Sequence, residues 1–350
     1  MKLYNLGKVP WEESQLIYHA LGYIGQEALS LVSPATPYVC IGYNQNAEQE
    51  VDLEYCKENK IPVFRREVGG GAVYLDGNQL FYQLILRMDN PAVTKNKAAF
   101  YKKMLQPVIN VYRHIGIEAE YKPVNDVIVE TRKISGTGAA EIGDCVVFVG
   151  NLIVDFDYKT MSRVLRVPDE KFRDKVHKTL RDNLSTIRRE IGEEKASLWD
   201  EPTLNKLMAR EFEKVVGPLS ASDRDEELEQ KIDELRTRML NDEWLFQKGK
   251  KWTKGRDIKI RQGTNLRHKV HKAPGGLIRA DIEVIEGRLG RVSLSGDFFC
   301  YPAEGIDWLE SGLSGRGLDE LETFLDYFYK EKGIETPGIT IEDWLKVLAD

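Results

Sequence analysis

The sequence lacks the features that mark membrane and secreted proteins. Its longest apolar runs, such as residues 145–149 and 152–154, have the length of a strand, whereas a membrane-spanning helix needs about 20 apolar residues. The amino-terminal residues contain no charged start followed by an apolar core, so we expect no signal peptide. We therefore predict a globular protein with no membrane partner.

Cysteine and positive charge are also scarce. The four cysteines, Cys40, Cys56, Cys145 and Cys300, are widely separated and lack metal-ligand spacing. This usage is typical of a reduced compartment, so we predict a cytoplasmic location. The formal net charge of −6 opposes a dedicated nucleic-acid binder, which normally has a basic surface. Residues 163–189 are locally basic, and form either a solvated helix pair or a basic flap beside a nucleotide or an acidic partner.

Chain length and apolar pattern predict more than one domain. At 350 residues the chain exceeds one typical domain. In the first part, helical spacing occurs at residues 12–25, 51–59, 95–115, 157–165 and 203–216. Strand patterns occur at residues 29–32, 38–41, 63–66, 78–87, 117–121, 126–130, 133–142 and 144–155. Because these strands cluster in hairpins, we expect an α+β fold of mixed or antiparallel sheets packed by helices.

A second, smaller domain is predicted from residue 247 onward. Residues 223–246 form a charged helix with few core positions, which we assign to the first domain (1–246) as a connector. Short strand patterns at residues 258–261, 276–286 and 290–296 then precede helical patterns at 305–313 and 318–331. Residues 247–350 are therefore expected to form a small α+β domain.

A glycine-rich turn carries the first functional signal. Arg65 and Arg66 lead into three successive glycines, Gly69, Gly70 and Gly71. Such a turn lets backbone N–H groups approach a phosphate closely, and the arginines would supply positive charge. The same residues also suit a tight hairpin corner with solvated arginines.

A second signal lies downstream. A strand that contains Asn125 and Asp126 is followed by Lys133 and then by small residues up to Ala139. An Asn-Asp pair can simply form a turn before a strand, and a lysine at the start of a strand is commonly solvated. Together, however, the two stretches predict an anion site assembled from distant parts of one sheet.

These motifs resemble those of the lipoate–protein ligase A family, in the biotin/lipoate ligase superfamily. The glycine turn is similar to the family's arginine–glycine signature, and residues 125–139 are similar to its Asn-Asp strand and lysine loop. Residues 41–46 are similar to its IG-x-x-Q-N segment. The resemblance covers residues 1–215, and residues 271–278 and 295–299 resemble the accessory domain of many such ligases. It implies a biotin/lipoate ligase-like catalytic fold, shared with octanoyltransferases.

The resemblance implies a two-step activity. ATP would convert lipoate to lipoyl-AMP, and the lipoyl group would then pass to a lysine of a lipoyl domain or of a glycine-cleavage H-like carrier protein. Lys133 would be the catalytic cation and Asp126 the Mg²⁺ ligand. The residues expected to bind substrate or adenylate are Arg66, Gly69, Gly70, Gly71, Ala72, Val73, Asn78, Asn125, Asp126, Lys133, Gly136, Ala139 and Gly150. The accessory domain would gate adenylation and shield the adenylate from water.

The sequence departs from the family pattern at two positions. Leu75 replaces the histidine of the usual His-Asp pair, and Val149 replaces a histidine found in some relatives. Phosphate contacts or substrate choice are therefore expected to differ from those of the typical ligase. The candidate walls of an apolar tunnel for the lipoyl tail are strand residues that otherwise belong to the core, namely Val39, Ile41, Val73 and Tyr74.

Three other functions are alternatives. An octanoyltransferase needs a cysteine that carries the acyl group as a thioester. Cys145 is the cysteine near the expected site, but its apolar surroundings in the sequence favour a buried structural thiol. A biotin ligase is disfavoured because its glycine-rich signature differs from this one. A non-catalytic acyl-carrier-binding module would not need Lys133 or Asp126.

Overall fold

The structure, a computed structural model, describes residues 1–94, 96–167, 169–249, 258–261 and 264–349. The first elements are β1 (Lys2–Val9), α1 (Glu13–Tyr23), β2 (Ala28–Pro34), β3 (Tyr38–Ile41), α2 (Ala47–Glu50), α3 (Leu53–Glu58), β4 (Val63–Arg65), β5 (Val73–Leu75), β6 (Gln79–Arg87) and α4 (Lys97–His114). They are followed by β7 (Ala119–Lys122), β8 (Asp126–Val129), β9 (Arg132–Ile142), β10 (Cys145–Ile153), α5 (Tyr158–Val164), α6 (Arg173–Asn183), α7 (Ile187–Ile191), α8 (Glu193–Ala196), α9 (Glu201–Val216), β11 (Ser220–Ala221) and α10 (Glu226–Met239). The last are α11 (Asp242–Leu245), β12 (Ile258–Arg261), β13 (Thr264–Ala273), β14 (Gly276–Ile285), β15 (Arg288–Gly296), α12 (Gly305–Leu313), α13 (Leu321–Lys332) and α14 (Ile341–Leu348).

The chain folds into two compact units, neither of which is continuous in sequence. The first comprises Met1–Cys40, Asp52–Phe64 and Val73–Asn241, and the second comprises Ile41–Val51, Arg65–Ala72 and Asp242–Asp350. The glycine turn therefore belongs to the second unit, together with the C-terminal part of the chain. The division into functional domains at residues 246 and 247 stays a prediction.

The first unit is built on a mixed sheet. In the described part of the chain, eight strands pair in the order β11-β1-β2-β6-β10-β9-β8-β7, and a smaller sheet has the order β4-β3-β5. Strand β1 is parallel to β2 and β11, whereas β9 and β10 form the predicted antiparallel hairpin. Within the described ranges, no helix is both long and apolar enough to cross a membrane. The predicted α+β class is confirmed.

Helix α4 supports the sheet, as its apolar spacing predicts. The Asn96 side chain caps its first turn by accepting from the Ala99 N–H at 2.9 Å. At its other end the backbone of Gly116 adopts a positive φ of 89°, which favours glycine. On its buried face, the Phe100 and Tyr101 rings each lie 5.9 Å from the Phe148 ring of β10.

Helix α10 has more core positions than its charged sequence suggests. Its buried residues recur at helical spacing, and they are Leu228, Ile232, Leu235 and Met239. The helix packs on α1 within the first unit, where Arg236 pairs with Glu13 at 3.1 Å. A narrow apolar stripe is enough to dock a helix whose other faces are charged.

The second unit contains a four-stranded antiparallel sheet, β12-β13-β14-β15, with helices packed against it. Its core includes the rings of Phe298 and Trp344, 5.7 Å apart. The sequence analysis missed β13, because Ala273 is the buried residue among its described side chains and no apolar alternation marks it. Backbone pairing with β12 and β14 makes this segment a strand.

Candidate functional site

Lys133 lies at an irregularity in strand β9. Val127 of β8 pairs with Ser135, but Ile128 pairs with Lys133, so that Ile134 is an extra residue in β9. Such a β-bulge bends the strand and changes the direction of neighbouring side chains. Lys133 therefore does not follow the regular alternation of the sheet.

Lys133 and Asp126 form an ion pair across this bulge. The Nζ of Lys133 lies 2.6 Å from Oδ1 of Asp126, and the two side chains are 36% and 28% exposed. A Cβ atom added to Gly136 would lie 3.4 Å from Cε of Lys133, so the glycine leaves room for the lysine side chain. The structure thus brings three of the predicted residues together, with both charged groups open to solvent.

Asn125 fastens the start of β8 to β9. Its Nδ2 donates to the carbonyl oxygen of Thr137 over 2.5 Å, and the Thr137 hydroxyl donates to the carbonyl oxygen of Asn125. These reciprocal bonds hold the residue next to Asp126 in place. Asn125 is therefore placed to orient Asp126 through the backbone.

Gly150 lies beneath the same part of β9, where its neighbours leave no room for a side chain. A Cβ atom there would overlap the hydroxyl group of Tyr82. That hydroxyl lies 3.2 Å from Oγ of Ser135, which in turn donates to the carbonyl oxygen of Asn151 over 2.6 Å. Gly150 is thus required for the packing of Tyr82 beneath the lysine strand.

Asn151 is a site residue that the sequence analysis missed. Its Oδ1 accepts from the Gly136 N–H at 3.0 Å, and its Nδ2 donates to Oε1 of Gln79 at 2.8 Å. It therefore links β10 and β6 to the small residues that follow Lys133. Only the cross-strand register, Gly150 opposite Thr137, could have pointed to it.

The remaining predicted residues of the first unit have other neighbours. Ala139 is buried opposite Phe148, whereas Val73 is 38% exposed. The Asn78 N–H donates to Oδ1 of Asp76 at 2.9 Å, and burial raises the pKa of the Asp76 carboxyl group. The contacts described so far join Lys133 to Asp126 and Gly136, and do not include these residues.

The proposed tunnel walls and the two vacant histidine positions are apolar. Val39, Ile41 and Tyr74 are buried, as core residues are. Leu75 pairs with Tyr38 in the small sheet, and Val149 lies between Gln83 and Gly138. Neither of these side chains can donate a hydrogen bond to a phosphate.

Within the second unit, the glycine turn contacts the C-terminal part of the chain. Gly70, with φ of 93°, donates its N–H to the carbonyl oxygen of Phe298 at 3.2 Å. Nη2 of Arg66 donates to the carbonyl oxygens of Gly69 and Gly71 at 2.8 and 2.9 Å. In this conformation the Gly70 amide binds backbone, whereas the sequence suggested a phosphate.

Close packing explains two of the three glycines. A Cβ atom on Gly69 would lie 2.7 Å from the Phe298 carbonyl oxygen, and one on Gly70 would lie 3.1 Å from Cζ of Phe299. Bare backbone is therefore needed here for the approach of another chain segment. That Gly69, Gly70, Gly71 and Ala72 also bind adenylate, close to Lys133, stays a prediction.

Arg65 is fully buried, with an exposed fraction of 0%, and its environment is backbone. Its guanidinium donates to main-chain carbonyl oxygens of Gly42, Tyr43, Gln45, Trp244 and Leu245. The expectation that both arginines supply charge to a phosphate is thus corrected for Arg65. It connects two distant segments of the second unit.

Cys145 has the environment of a structural thiol. It is fully buried, and burial raises the pKa of its thiol to about 11. A nucleophilic cysteine needs the thiolate form and access to substrate. Neither condition holds for Cys145.

The donor set near Lys133 fits Mg²⁺ that arrives with a nucleotide. Over the residues described, no group of three or more His, Cys, Asp or Glu side chains could hold a metal ion by itself. Mg²⁺ typically uses one or two carboxylates together with substrate phosphates and waters. The half-exposed carboxylate of Asp126 meets that requirement.

Sequence comparison places these residues in a known catalytic domain. The family model described as the lipoyl protein ligase A/B catalytic domain matches residues 12–212. This range contains Asp126, Lys133 and Gly150, as well as the glycine turn.

Individual relatives agree with the family match. The chain is 35% identical over 159 residues to lipoate-protein ligase A subunit 1 of Thermoplasma acidophilum, covering 43% of this chain and 59% of that protein. It is 29% identical over 267 residues to lipoate-protein ligase LplJ of Bacillus subtilis, covering 75% of this chain and 74% of that protein. Less than two thirds of the first relative is therefore matched.

A solved structure has a similar fold. It is the bipartite lipoate protein ligase of Thermoplasma acidophilum, determined with its E2 lipoyl domain. The TM-score is 0.62 at 27% identity, over 70% of this chain and 95% of that one.

Proposed function

The chain belongs to the lipoyl protein ligase A/B catalytic domain family, a family of enzymes, and on that basis we propose that it is an ATP-dependent lipoate–protein ligase. It activates lipoate as lipoyl-AMP and transfers the lipoyl group to a lysine of a carrier protein. The observation that carries this proposal is the solvent-accessible Lys133–Asp126 pair within the matched range.

The first step requires charge neutralisation and no side-chain nucleophile. An oxygen of the lipoate carboxylate attacks the α-phosphorus of ATP, and the bond to the bridging oxygen breaks so that pyrophosphate leaves. Lys133 donates hydrogen bonds from Nζ to the carboxylate and to the α-phosphate, where negative charge develops. Asp126 holds Mg²⁺, which supplies further positive charge to the triphosphate when bound.

The second step forms an amide. The neutral amine of the carrier lysine attacks the carbonyl carbon of lipoyl-AMP, AMP leaves, and the nitrogen loses a proton. Lys133 stabilises the oxygen that becomes negative as the amine adds. Holding both reactants at one site converts a slow bimolecular reaction into an effectively unimolecular one.

The acceptor is proposed from the relatives. The Thermoplasma acidophilum ligase was solved with its E2 lipoyl domain, so we propose a lipoyl domain as the first acceptor to test. A glycine-cleavage H-like protein is the second. A cytoplasmic location is part of the same proposal.

The alternatives have less support. A thioester route through Cys145 is opposed by the burial of that thiol and by its raised pKa, about 11. A non-catalytic binding module gives no reason for an accessible lysine–carboxylate pair at a β-bulge.

Mass spectrometry of carrier proteins tests the proposal directly. The purified chain is incubated with Mg²⁺ and with lipoate or octanoate, with and without ATP, and with a lipoyl domain or an H-like protein. We expect an ATP-dependent mass gain equal to one lipoyl group on the carrier. A mass gain without ATP from an acylated carrier would instead support the transferase, and no gain in any arm would support the binding module.

A further inference from the structure

A short segment after helix α6 pairs with β9 at Lys133 itself. We call residues 184–190 the strap. The Ser185 N–H donates to the carbonyl oxygen of Lys133 at 2.7 Å, and Leu184 pairs with Lys133 as a parallel bridge. Strand β10 pairs with β9 only from Thr137 to Ile142. At Lys133, therefore, the strap occupies the edge of β9 that faces away from β8.

Glu190 fastens the strap to β9. Its carboxylate accepts from the Ser185 hydroxyl and lies 3.1 Å from Nη2 of Arg132, the residue before Lys133. The Glu190 and Arg132 side chains are 14% and 22% exposed, so solvent screens this ion pair less than a surface pair. One carboxylate thus holds both the strap residue that binds Lys133 and the neighbour of Lys133.

Tyr112 of helix α4 fastens the other side of the bulge. It is fully buried, and its hydroxyl donates to the carbonyl oxygen of Ile134 at 2.7 Å. Ile134 is the extra residue of the bulge, which the ladder to β8 leaves unpaired. Two successive carbonyl groups, of Lys133 and Ile134, are therefore fixed from opposite elements.

We propose that Glu190 and Tyr112 are positioning residues for Lys133. They fix the bulge from which the lysine side chain extends, so that Nζ is aimed before substrate binds. This inference rests on the proposed function, in which Lys133 contacts the reacting phosphate. A displacement of about 1 Å at such a contact can lower a rate by about 100-fold without any loss of chemical groups.

The test compares two carboxylates on the same strand system. Glu190→Gln keeps the side-chain volume but removes the charge that binds Arg132. Glu141→Gln is the matched control, because Glu141 also lies on β9 and pairs with a cation, Lys97, at 2.6 Å. The first readout is amide hydrogen exchange in peptides that contain Ser185. The second is kcat and KM for lipoate-dependent exchange of pyrophosphate into ATP.

We expect Glu190→Gln to speed exchange at Ser185 and to lower kcat by about ten-fold or more, with KM for ATP nearly unchanged. Glu141→Gln should change neither quantity. An unchanged kcat, a rise in KM alone, or an equal loss in the control would overturn the proposal.

Tyr112→Phe keeps the test decisive if Glu190→Gln does not fold. It removes one hydroxyl from the core and should lower kcat in the same selective way; normal kcat in a folded Tyr112→Phe protein would also overturn the proposal. Failure of the proposed function is distinct, because then the unsubstituted protein itself would form no adenylate.

Discussion

Nζ of Lys133 lies 2.6 Å from Oδ1 of Asp126, across the irregular pairing of β8 with β9. Both side chains are about one third exposed, and ion pairs at that exposure contribute little to stability. The pair is thus better explained by function, because a nucleotide with Mg²⁺ offers each partner a new charge. The first two predictions separate the roles of its members.

Lys133→Ala should abolish adenylate formation. Removal of a well-placed cationic donor typically costs about 3 kcal/mol of transition-state stabilisation, or about 100-fold in rate. The assay is lipoate-dependent pyrophosphate exchange, with thermal unfolding as a measure of the fold. Lys97→Ala, which breaks a lysine–carboxylate pair of the same length, should stay active. Near-normal activity of Lys133→Ala would refute the catalytic assignment.

Asp126→Asn should raise the Mg²⁺ concentration needed for half-maximal adenylation. The substitution keeps the size of the side chain but removes the negative charge that a hard cation prefers. A titration of the exchange rate with Mg²⁺ measures this effect. An unchanged Mg²⁺ dependence would remove Asp126 as the metal ligand and leave it only as the partner of Lys133.

Cys145→Ala should leave both half-reactions unchanged within the error of the assay. Because burial raises the pKa of this thiol to about 11, the nucleophilic thiolate is rare near neutral pH. Intact-protein mass spectrometry should also find no acyl group on the unsubstituted chain. A stable acyl adduct that disappears in Cys145→Ala would revive the thioester route.

Arg65→Met should destabilise the second unit. The variant leaves the carbonyl oxygens that Arg65 binds buried without a donor, at a cost of about 3 kcal/mol or more in the free energy of unfolding. Urea unfolding measures this loss. Arg87→Met, at a side chain that is 48% exposed, is the control and should change little. Equal stabilities would show that water or other donors replace Arg65.

Asp343→Asn should lower stability in a pH-dependent way. Burial alone would raise the pKa of Asp343, but hydrogen bonds from the Thr340 N–H, the His271 ring and the Thr340 hydroxyl lower it to about 2. A carboxylate with a depressed pKa stabilises the fold above its ordinary range and loses this contribution as the pH falls toward 2. The difference in unfolding free energy between wild type and Asp343→Asn should therefore be largest above pH 4 and shrink toward pH 2. A difference that is constant with pH would contradict this account.

Local patterns predicted most elements of the first unit. The apolar spacing of α1 and α4 is one example, and the β9–β10 hairpin around Gly143 is another. Motif order led to the family, which the match over residues 12–212 confirms. Strand β13 escaped prediction because its pairing partners, and no apolar alternation of its own, make it a strand.

The site was predicted in its parts but not in its connections. Lys133, Asp126 and Gly136 are visible as types and spacings in the sequence, and the structure brings them together. Asn151 and Glu190 were not predicted, because their importance follows from register and from a contact across 58 residues of chain.

The sequence by itself determined the fold class, the family and the identity of the candidate lysine, because these depend on residue type and local order. Only the tertiary structure decided that Arg65 binds backbone, that Gly70 donates to Phe298 and that Lys133 lies on a bulge held from two sides. Hydrogen bonds and close packing of this kind join residues far apart in the chain. Their partners are therefore set by the fold, and no local pattern specifies them.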